Sequence, residues 1–392
     1  MADQAIGERL APLPVEVRPL ELCIGRTLRQ DVYAERDNPP FDRVCMDGIA
    51  IASRAGGQRT FTIEAVQTAG APVVKLSNPA HAIEVMTGAI LPQGTDCVIP
   101  LEEYQLTAGL VALKDGVRIE PYRNIQRRGS DSRPDVPMLT AGTRLGAPEI
   151  AVVASAGLAS VRVSRQPSFV VISTGDELVE PGQPIAEHQV RRSNAYAVVA
   201  ALREHGFEDV SNDHLPDNEP ALREHLARHL EERDIVILSG GISKGRFDLV
   251  PKVLASLRVQ EVFHQIAQRP GMPMWFGIGT LGQAVFGLPG NPVSTLVCLV
   301  RYVIPAVVAA MGAEPPAAEM IGLAQPVALG RKVASFVPVS LRHDEQGRVS
   351  AVPRSPNGSG DFLALAHTAG FVELPPRPDP FPGGFPARLY RW

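Results

Sequence analysis

The chain has 392 residues, with 38 basic against 42 acidic and a net charge of −4, so no global electrostatic attraction to nucleic acid or an anionic membrane is expected. At about 150 residues per domain this length predicts two or three domains, and 45% hydrophobic with 20% charged residues is globular composition. The 35 glycines and 36 prolines predict many turns, while the four cysteines, Cys23, Cys45, Cys97 and Cys298, form no CxxC; this disfavours a zinc site or disulfide framework and fits a reducing, cytoplasmic compartment.

The opening MADQAIGERLAPLP has acidic residues and no apolar core, so no signal peptide is expected. Residues 1–45 mix an amphipathic start with a loop, DNPPFDR, whose prolines force extended backbone before Phe41. Residues 46–137 alternate the β-rich runs GIAIA, RTFTIEAV, AIEVM, DCVIP, LVALK and VRIE with Gly and Pro turns, which predicts a small all-β module. Within 138–165, APEIAVVASAG has Pro148 and Glu149 suited to a first helical turn and Gly157 suited to a stop. A helix returning to the first segment makes 1–45 and 138–165 one discontinuous linker domain with 46–137 inserted into it.

Residues 166–314 change period. FVVIST predicts a strand buried on both faces, and SNAYAVVAALREHG a helix capped at Ser193 or Asn194 and ended by Gly206. FEDVSN then reads as strand, EPALREHLARHLEER as helix, DIVILSGG as strand, FDLVPKVLASL as a helix starting near Asp248, VQEVFHQIA and QAVFGLPG as strands, and PVSTLVCLVRYVIPAVVAAMG as helix. This alternation predicts right-handed crossovers and a mostly parallel α/β sheet covered by helices. The apolar stretch from Ser294 to Gly312 contains Arg301 and Pro305 and reads as a core helix, with no membrane span expected. Residues 315–392 revert to short β-runs, VASFVPVSLR, DEQGR, VSAVPR, GFVELP and ARLYRW, which predict a small barrel or sandwich.

Ligands of open α/β sheets bind beyond the carboxyl ends of the strands, so the segments STGDELVEPG, SGGISKGRFD, QRPGMP and GLPGNP hold the candidate chemistry. SGGISKG, with its glycines and a following helix, suits an oxyanion or phosphate; it is neither a Walker A nor a GxGxxG, and a plain tight turn fits its spacing equally well. Asp176, Glu177, Asp217 and Asp248 converge if their strands are adjacent and could then hold Mg²⁺, although Asp217 and Asp248 each suit a helix N-cap too. PGMP and LPGNP suit either a pocket wall or loop stiffening. His225 and His229 stand at i, i+4 on a charged helix without an HExxH, which reads as exposed helix surface and not as a zinc site, and Cys45 reads as a small apolar residue.

Taken together, DNPPFDRVCMDGIAI, EVMTGAILPQGTDCVIP, RRGSD, STGDEL, RSNA, SGGISKGRFD, RPGMP and VFGLPGNP occur in the order found in molybdopterin molybdotransferases, which the chain resembles from about residue 15 to its end. These are the molybdenum-insertion enzymes related to the E domain of gephyrin. The resemblance implies an elongated homodimer of four-domain chains: the linker domain, the inserted β domain, the α/β domain that binds molybdopterin, and a C-terminal β barrel. It implies a reaction in which molybdate enters adenylylated molybdopterin and the pyrophosphate bond is cleaved to release AMP, with Mg²⁺ assisting.

The resemblance also implies roles by position. Asp47, Asp131, Glu177, Asp217 and Asp248 match catalytic positions, the last three also the metal site. Thr87, Gly88, Thr174, Gly175, Asp176, Ser193 and Asn194 match ligand-binding positions, as do Ser239, Gly240, Gly241, Ser243, Lys244 and Gly245. Arg269, Pro270, Pro289, Gly290 and Pro292 belong to the same set, and Arg331 and Ser359 match barrel contributions reached across the dimer cleft. Molybdopterin adenylyltransferase and molybdoenzyme acceptors are the implied protein partners. The chain departs from the usual pattern at Arg43, Val44 and Ile49 around MDG, at Met272 in place of the usual lysine of PGKP, and at Asn218 where a second aspartate is common. A tungstate-preferring paralogue and a cofactor-binding carrier or scaffold remain the rival readings, while the inserted β module and barrel argue against an adenylyltransferase.

Overall fold

The computed structural model describes residues 2–54, 57–242, 249–330, 333–354, 358, 360–377 and 380–392. Near the N-terminus, strand Val15–Pro19 pairs antiparallel with Ser160–Ser164, so the chain does return to its starting neighbourhood. Helix Ala147–Ser155 lies between them in sequence, with Glu149 accepting the Gly146 N–H at 2.9 Å and Gly157 (φ +82°) ending it. Residues before Val15 pack elsewhere: Ile6 is buried in the core of the α/β region, and Asp3 pairs with Arg301 at 2.7 Å.

The β-rich segment forms a six-stranded mixed sheet of strands Gly48–Ile51, Thr60–Gln67, His81–Val85, Cys97–Pro100, Tyr104–Thr107 and Leu110–Leu113. Residues alternate across it, Ile49 and Ile51 facing one core and Ala50 the other. Tyr104–Thr107 is a strand the run pattern missed, whereas Val117–Glu120, expected as one, is not. Gly116 turns the chain there at φ +79°, and the guanidinium of Arg59 takes the Lys114 and Val117 carbonyls that a partner strand would otherwise bond.

In the α/β region the strands are β1 (Phe169–Thr174), β2 (Val210–Leu215), β3 (Ile235–Ser239), β4 (Gln260–His264), β5 (Trp275–Ile278) and β6 (Ala284–Leu288), in the order β2-β1-β3-β6-β5-β4. Pairings from β2 to β6 are parallel, and β5 runs antiparallel to both neighbours. The helices are α1 (Ser193–Glu204), α2 (Glu219–Glu232), α3 (Val250–Ser256) and α4, which runs from Pro292 to Ala310. Phe169 and Val171 of β1 face α1 and α4, whereas Val170 and Ile172 face α2 and α3, so both faces are buried and the strand reads as one apolar run.

Expectation and structure part at several points. β2 begins at Val210 because Phe207 leaves the helix to pack on Phe169, ring centroids 4.9 Å apart. β5 was not foreseen: Gly277 weakens its pattern, yet a side chain there would meet the Trp275 ring and the Gln260 carbonyl. The residue before α1 is Arg192, without a side-chain cap, so neither Ser193 nor Asn194 caps that helix; α2 is capped by Asn218, whose Oδ1 accepts the Ala221 N–H at 3.1 Å, and not by Asp217. The described part of α3 begins at Val250; its expected start near Asp248 lies outside the described residues. α4 contains a π-helical turn, Leu299–Val303, just before Pro305, which lacks the N–H that a regular ladder needs. By length and composition α4 could cross a membrane, but most of it is buried in the core.

The C-terminal strands Glu319–Leu323, Ala334–His343, Val349–Pro353, Gly370–Leu374 and Pro386–Arg391 close on themselves as a barrel, Ala334–His343 pairing with Gly370–Leu374. Glu319–Leu323 was not foreseen, and DEQGR is the turn between two strands, its Asp344 Oδ1 accepting the Gln346 and Arg348 N–H groups.

Candidate active site

Because β1 leads outward to β2 and the chain then crosses back to β3, the crevice between the carboxyl ends of β1 and β3 is the topological switch point of the sheet. A cavity of about 460 Å³ lies there, lined by the end of β1 (Ser173, Thr174), Glu177, the start of α1 (Arg192 to Asn194), the end of β3 (Ser239, Gly240) and the Gly290–Pro292 loop. Gly360 and Phe362 close it from the barrel side of the same chain. Its neighbour, a cavity of about 660 Å³, is lined by Arg269–Pro273 on one side and by Ser335–Pro338 and Arg354 on the other; Asn291 lines both.

Local chemistry explains the cradle. Gly240 (φ +96°) and Gly241 (φ +65°) turn the chain after β3, and a methyl on Gly241 would meet Thr174 Oγ1 at 2.6 Å. Asn194 Nδ2 donates to Ser239 Oγ at 3.1 Å and to the Gly290 carbonyl at 2.8 Å, tying α1 to the loops after β3 and β6. Thr295 Oγ1 donates to the Pro289 carbonyl at 2.6 Å and holds the LPGNP loop. Ser173 Oγ, Thr174 Oγ1, Asn194 Oδ1 and Arg192 Nε are buried without a partner among the described residues, an expensive arrangement unless a polar ligand completes it.

Arg192 was not singled out from sequence. Its buried guanidinium pairs with Glu180 at 3.0 Å, and the available signal was an Arg-Arg pair directly before the Ser-Asn of α1. Asn291 was not assigned a role although it lies in the GLPGNP segment, and Gly360 and Phe362 were missed as well, having no distinguishing pattern.

The carboxylates divide. Asp176 and Asp217 meet, the Asp217 N–H donating to Asp176 Oδ1 at 3.2 Å, while Glu177 lines the cavity and folds over Gly175. Among the described residues these three do not close into one tight group. Asp47, Thr87, Gly88 and Asp131 belong to the β-rich segment: Asp47 Oδ1 accepts the Thr87 N–H at 2.6 Å and its hydroxyl at 2.8 Å, which holds the Asp47 carboxyl below its ordinary value. Asp131 accepts from Gln126 Nε2 at 2.7 Å, and Gln126 Oε1 accepts from Arg43. Apart from the Arg43 bond, which reaches in from the 1–45 segment, these bonds stay within the β-rich segment. Ser193, Arg269, Pro270, Pro289, Gly290 and Pro292 stand at the two cavities or their loops, whereas Ser243, Lys244, Gly245, Asp248, Arg331 and Ser359 lie outside the described residues. Met272, exposed, lines the larger cavity beside Arg269.

Two expectations fail. Cys45 is exposed, not packed as an apolar residue. His229 is buried on α2 with its Nε2 2.8 Å from Asp213 Oδ2, so the His225–His229 face is not plain helix surface.

Comparison with known proteins bears on the whole chain. Residues 2–157 match the MoeA N-terminal region (domain I and II), 170–309 a probable molybdopterin binding domain, and 321–384 the MoeA C-terminal region (domain IV). The chain is 38% identical over 371 residues to a molybdopterin molybdenumtransferase of Synechocystis sp., covering 94% of this chain and 93% of that one. It is 33% identical over 384 residues to the Haemophilus influenzae protein of that name, covering 95% and 93%. A molybdopterin biosynthesis MoeA protein from Pyrococcus horikoshii superposes with a TM-score of 0.83 at 25% identity, covering 100% of this chain and 98% of that one.

Proposed function

Because the chain belongs to the MoeA family of molybdopterin molybdenumtransferases, transferases of molybdenum cofactor biosynthesis, we propose that it inserts molybdate into adenylylated molybdopterin and cleaves the pyrophosphate bond, releasing AMP. The observation that carries this reading is the pair of cavities meeting at Asn291, one of them lined by Ser173, Thr174, Asn194 and Arg192, each with a buried polar atom that has no partner among the described residues. A ligand with two lobes joined by a pyrophosphate suits that shape: glycine-turned backbone and Arg192 face one lobe, Arg269 and Arg354 the other.

The hydroxyl and carboxylate oxygens that line the cleft suit a hard cation, and Mg²⁺ needs only one or two carboxylates beside substrate phosphates. Glu177 and Asp217, with Asp248, would hold it, and bound there Mg²⁺ would supply charge neutralisation at the pyrophosphate. Under the same reading the chain divides into a discontinuous linker domain (1–45 and 138–165), an inserted β domain (46–137), the α/β domain (166–314) and the barrel (315–392). Asp47, Thr87 and Asp131 sit in the inserted domain, and a homodimer is the assembly that would bring such a cluster to a second copy's cleft.

The test is AMP release from adenylylated molybdopterin with Mg²⁺ and molybdate. Molybdate-dependent release that is lost in Glu177→Ala supports the proposal. Tight pterin binding with no AMP release would replace it with a cofactor carrier.

A further inference from the structure

On the other side of β2's end from the cavity, α2 packs two histidines against one aspartate. Asp213 stands in β2 opposite Ile172 of β1, on the sheet face that α2 covers, and receives His229 Nε2 at 2.8 Å and His225 Nδ1 at 3.4 Å on the same carboxylate oxygen. All three donor atoms lie within 4.8 Å of one another. We propose that Asp213, His225 and His229 form a binding site for a divalent transition metal of the Zn²⁺ type, separate from the carboxylates of the cleft.

Three features support the assignment. The donor set, two imidazoles and one carboxylate, matches what Zn²⁺ takes, with its bonds of about 2.0–2.2 Å. Donors around a tetrahedral ion at that bond length stand roughly 3.3 Å apart, so the 3.4 Å contact already has the right span and the 2.8 Å contact needs only a small opening. Helical i, i+4 spacing puts both rings on one face, and the strand supplies the third ligand from below.

Arg228 is the competitor. Its guanidinium lies 3.1 Å from His225 Nδ1 and 3.9 Å from Asp213 Oδ2, the atoms that a metal would take. The side chain is mostly exposed and can turn into solvent, and the half-exposed His225 side leaves a path for the ion and for a water as fourth ligand. A metal there would pin α2 to β2. The next residue, His214, donates from Nε2 to the Gly175 carbonyl at 2.9 Å, so the clamp would also steady the loop that carries Asp176 and Glu177.

The test uses the full chain stripped of metal, titrated with Zn²⁺ by calorimetry and with Co²⁺ by visible absorption. We expect about one equivalent per chain, the absorption of four-coordinate Co²⁺, and affinity at least about tenfold weaker in His225→Ala and in Asp213→Asn. His225 is half exposed and Asp213→Asn keeps the side-chain shape, and circular dichroism on each checks the fold. Arg228→Ala should bind more tightly than the parent. Absence of saturable binding, or equal binding in both ligand variants, would overturn the proposal and leave the triad a hydrogen-bonded clasp between helix and strand.

Discussion

The switch-point cleft and the Asp47 cluster of the β-rich segment solve opposite problems. In the cleft, buried Ser173, Thr174, Asn194 and Arg192 atoms stand without partners among the described residues, and glycine backbone leaves room beside them. In the cluster, Thr87 bonds Asp47 twice and Gln126 bonds both oxygens of Asp131, so each carboxylate is fixed before any ligand arrives. Unfilled hydrogen-bonding capacity marks a surface shaped to receive something, whereas pre-satisfied carboxylates mark charges held ready in place. Gly48 shows how tightly the second arrangement is built: a side chain there would overlap the Ile99 carbonyl, which fixes the strand that starts directly after Asp47.

The largest effect expected is on the cleft. Gly241→Ala puts a methyl 2.6 Å from Thr174 Oγ1 and 2.9 Å from Val250 Cγ2, at a φ of +65° that costs an L-residue about 1 kcal/mol. The loop must move, and a displacement of that order lowers kcat/KM by about 100-fold. Activity within about threefold of the parent would mean that the cradle does not position substrate.

A substitution at the far end of the same sheet separates stability from chemistry. Asp234 takes both arms of Arg165, at 2.7 and 2.9 Å, with the Ser168 N–H and hydroxyl at 2.8 and 2.9 Å. Burial works to raise its pKa, and the Arg165 and Ser168 bonds more than offset that, so the carboxyl sits below its ordinary value. Asp234→Ala should cost about 2 kcal/mol in urea unfolding, moderated because Arg165 is over a third exposed, with KM unchanged. The sign with pH follows from the lowered pKa: the contribution is complete above the ordinary aspartate value and fades as pH falls through the folded one. A parent chain and Asp234→Ala that lose stability in parallel on acidification would contradict it.

Much of the cleft's frame was legible in one dimension because β1 and β3 are buried on both faces, which writes FVVIST and DIVILSGG as unbroken apolar runs. Gly157 and Gly206 marked helix ends for the same local reason, a positive φ that needs no partner. What escaped was set by tertiary contact. β5 is interrupted by a glycine required by the Trp275 ring, and Asp213 meets His229 only because a strand and the following helix pack together. Arg192 opens the RSNA motif but was given no role there, because its importance comes from burial beside Glu180 at the mouth of α1.

Asn194 sharpens the comparison at a single side chain. Its amide nitrogen holds Ser239 and Gly290 while its oxygen has no partner among the described residues, so it belongs to the frame and to the receiving surface at once. Asn194→Ala should raise KM about tenfold, equivalent to about 1.4 kcal/mol, with little change in melting temperature. A fall in stability with KM unchanged would assign it to the frame alone.

The smallest effect expected tests the other region. Asp47 is exposed, and its pKa is lowered by the Thr87 backbone N–H first and the Thr87 hydroxyl second. Thr87→Val removes only the hydroxyl, so the carboxyl moves part of the way back toward its ordinary value and protonates at higher pH. If charged Asp47 serves the reaction, the acid limb of kcat/KM shifts upward in pH while activity at neutral pH stays within about threefold of the parent. A profile of unchanged shape with uniformly lower activity would show that Thr87 acts by filling space and not through the ionisation of Asp47. The cluster would then be scaffolding, and the contrast between a receiving cleft and a prepared pair of carboxylates would lose its second half.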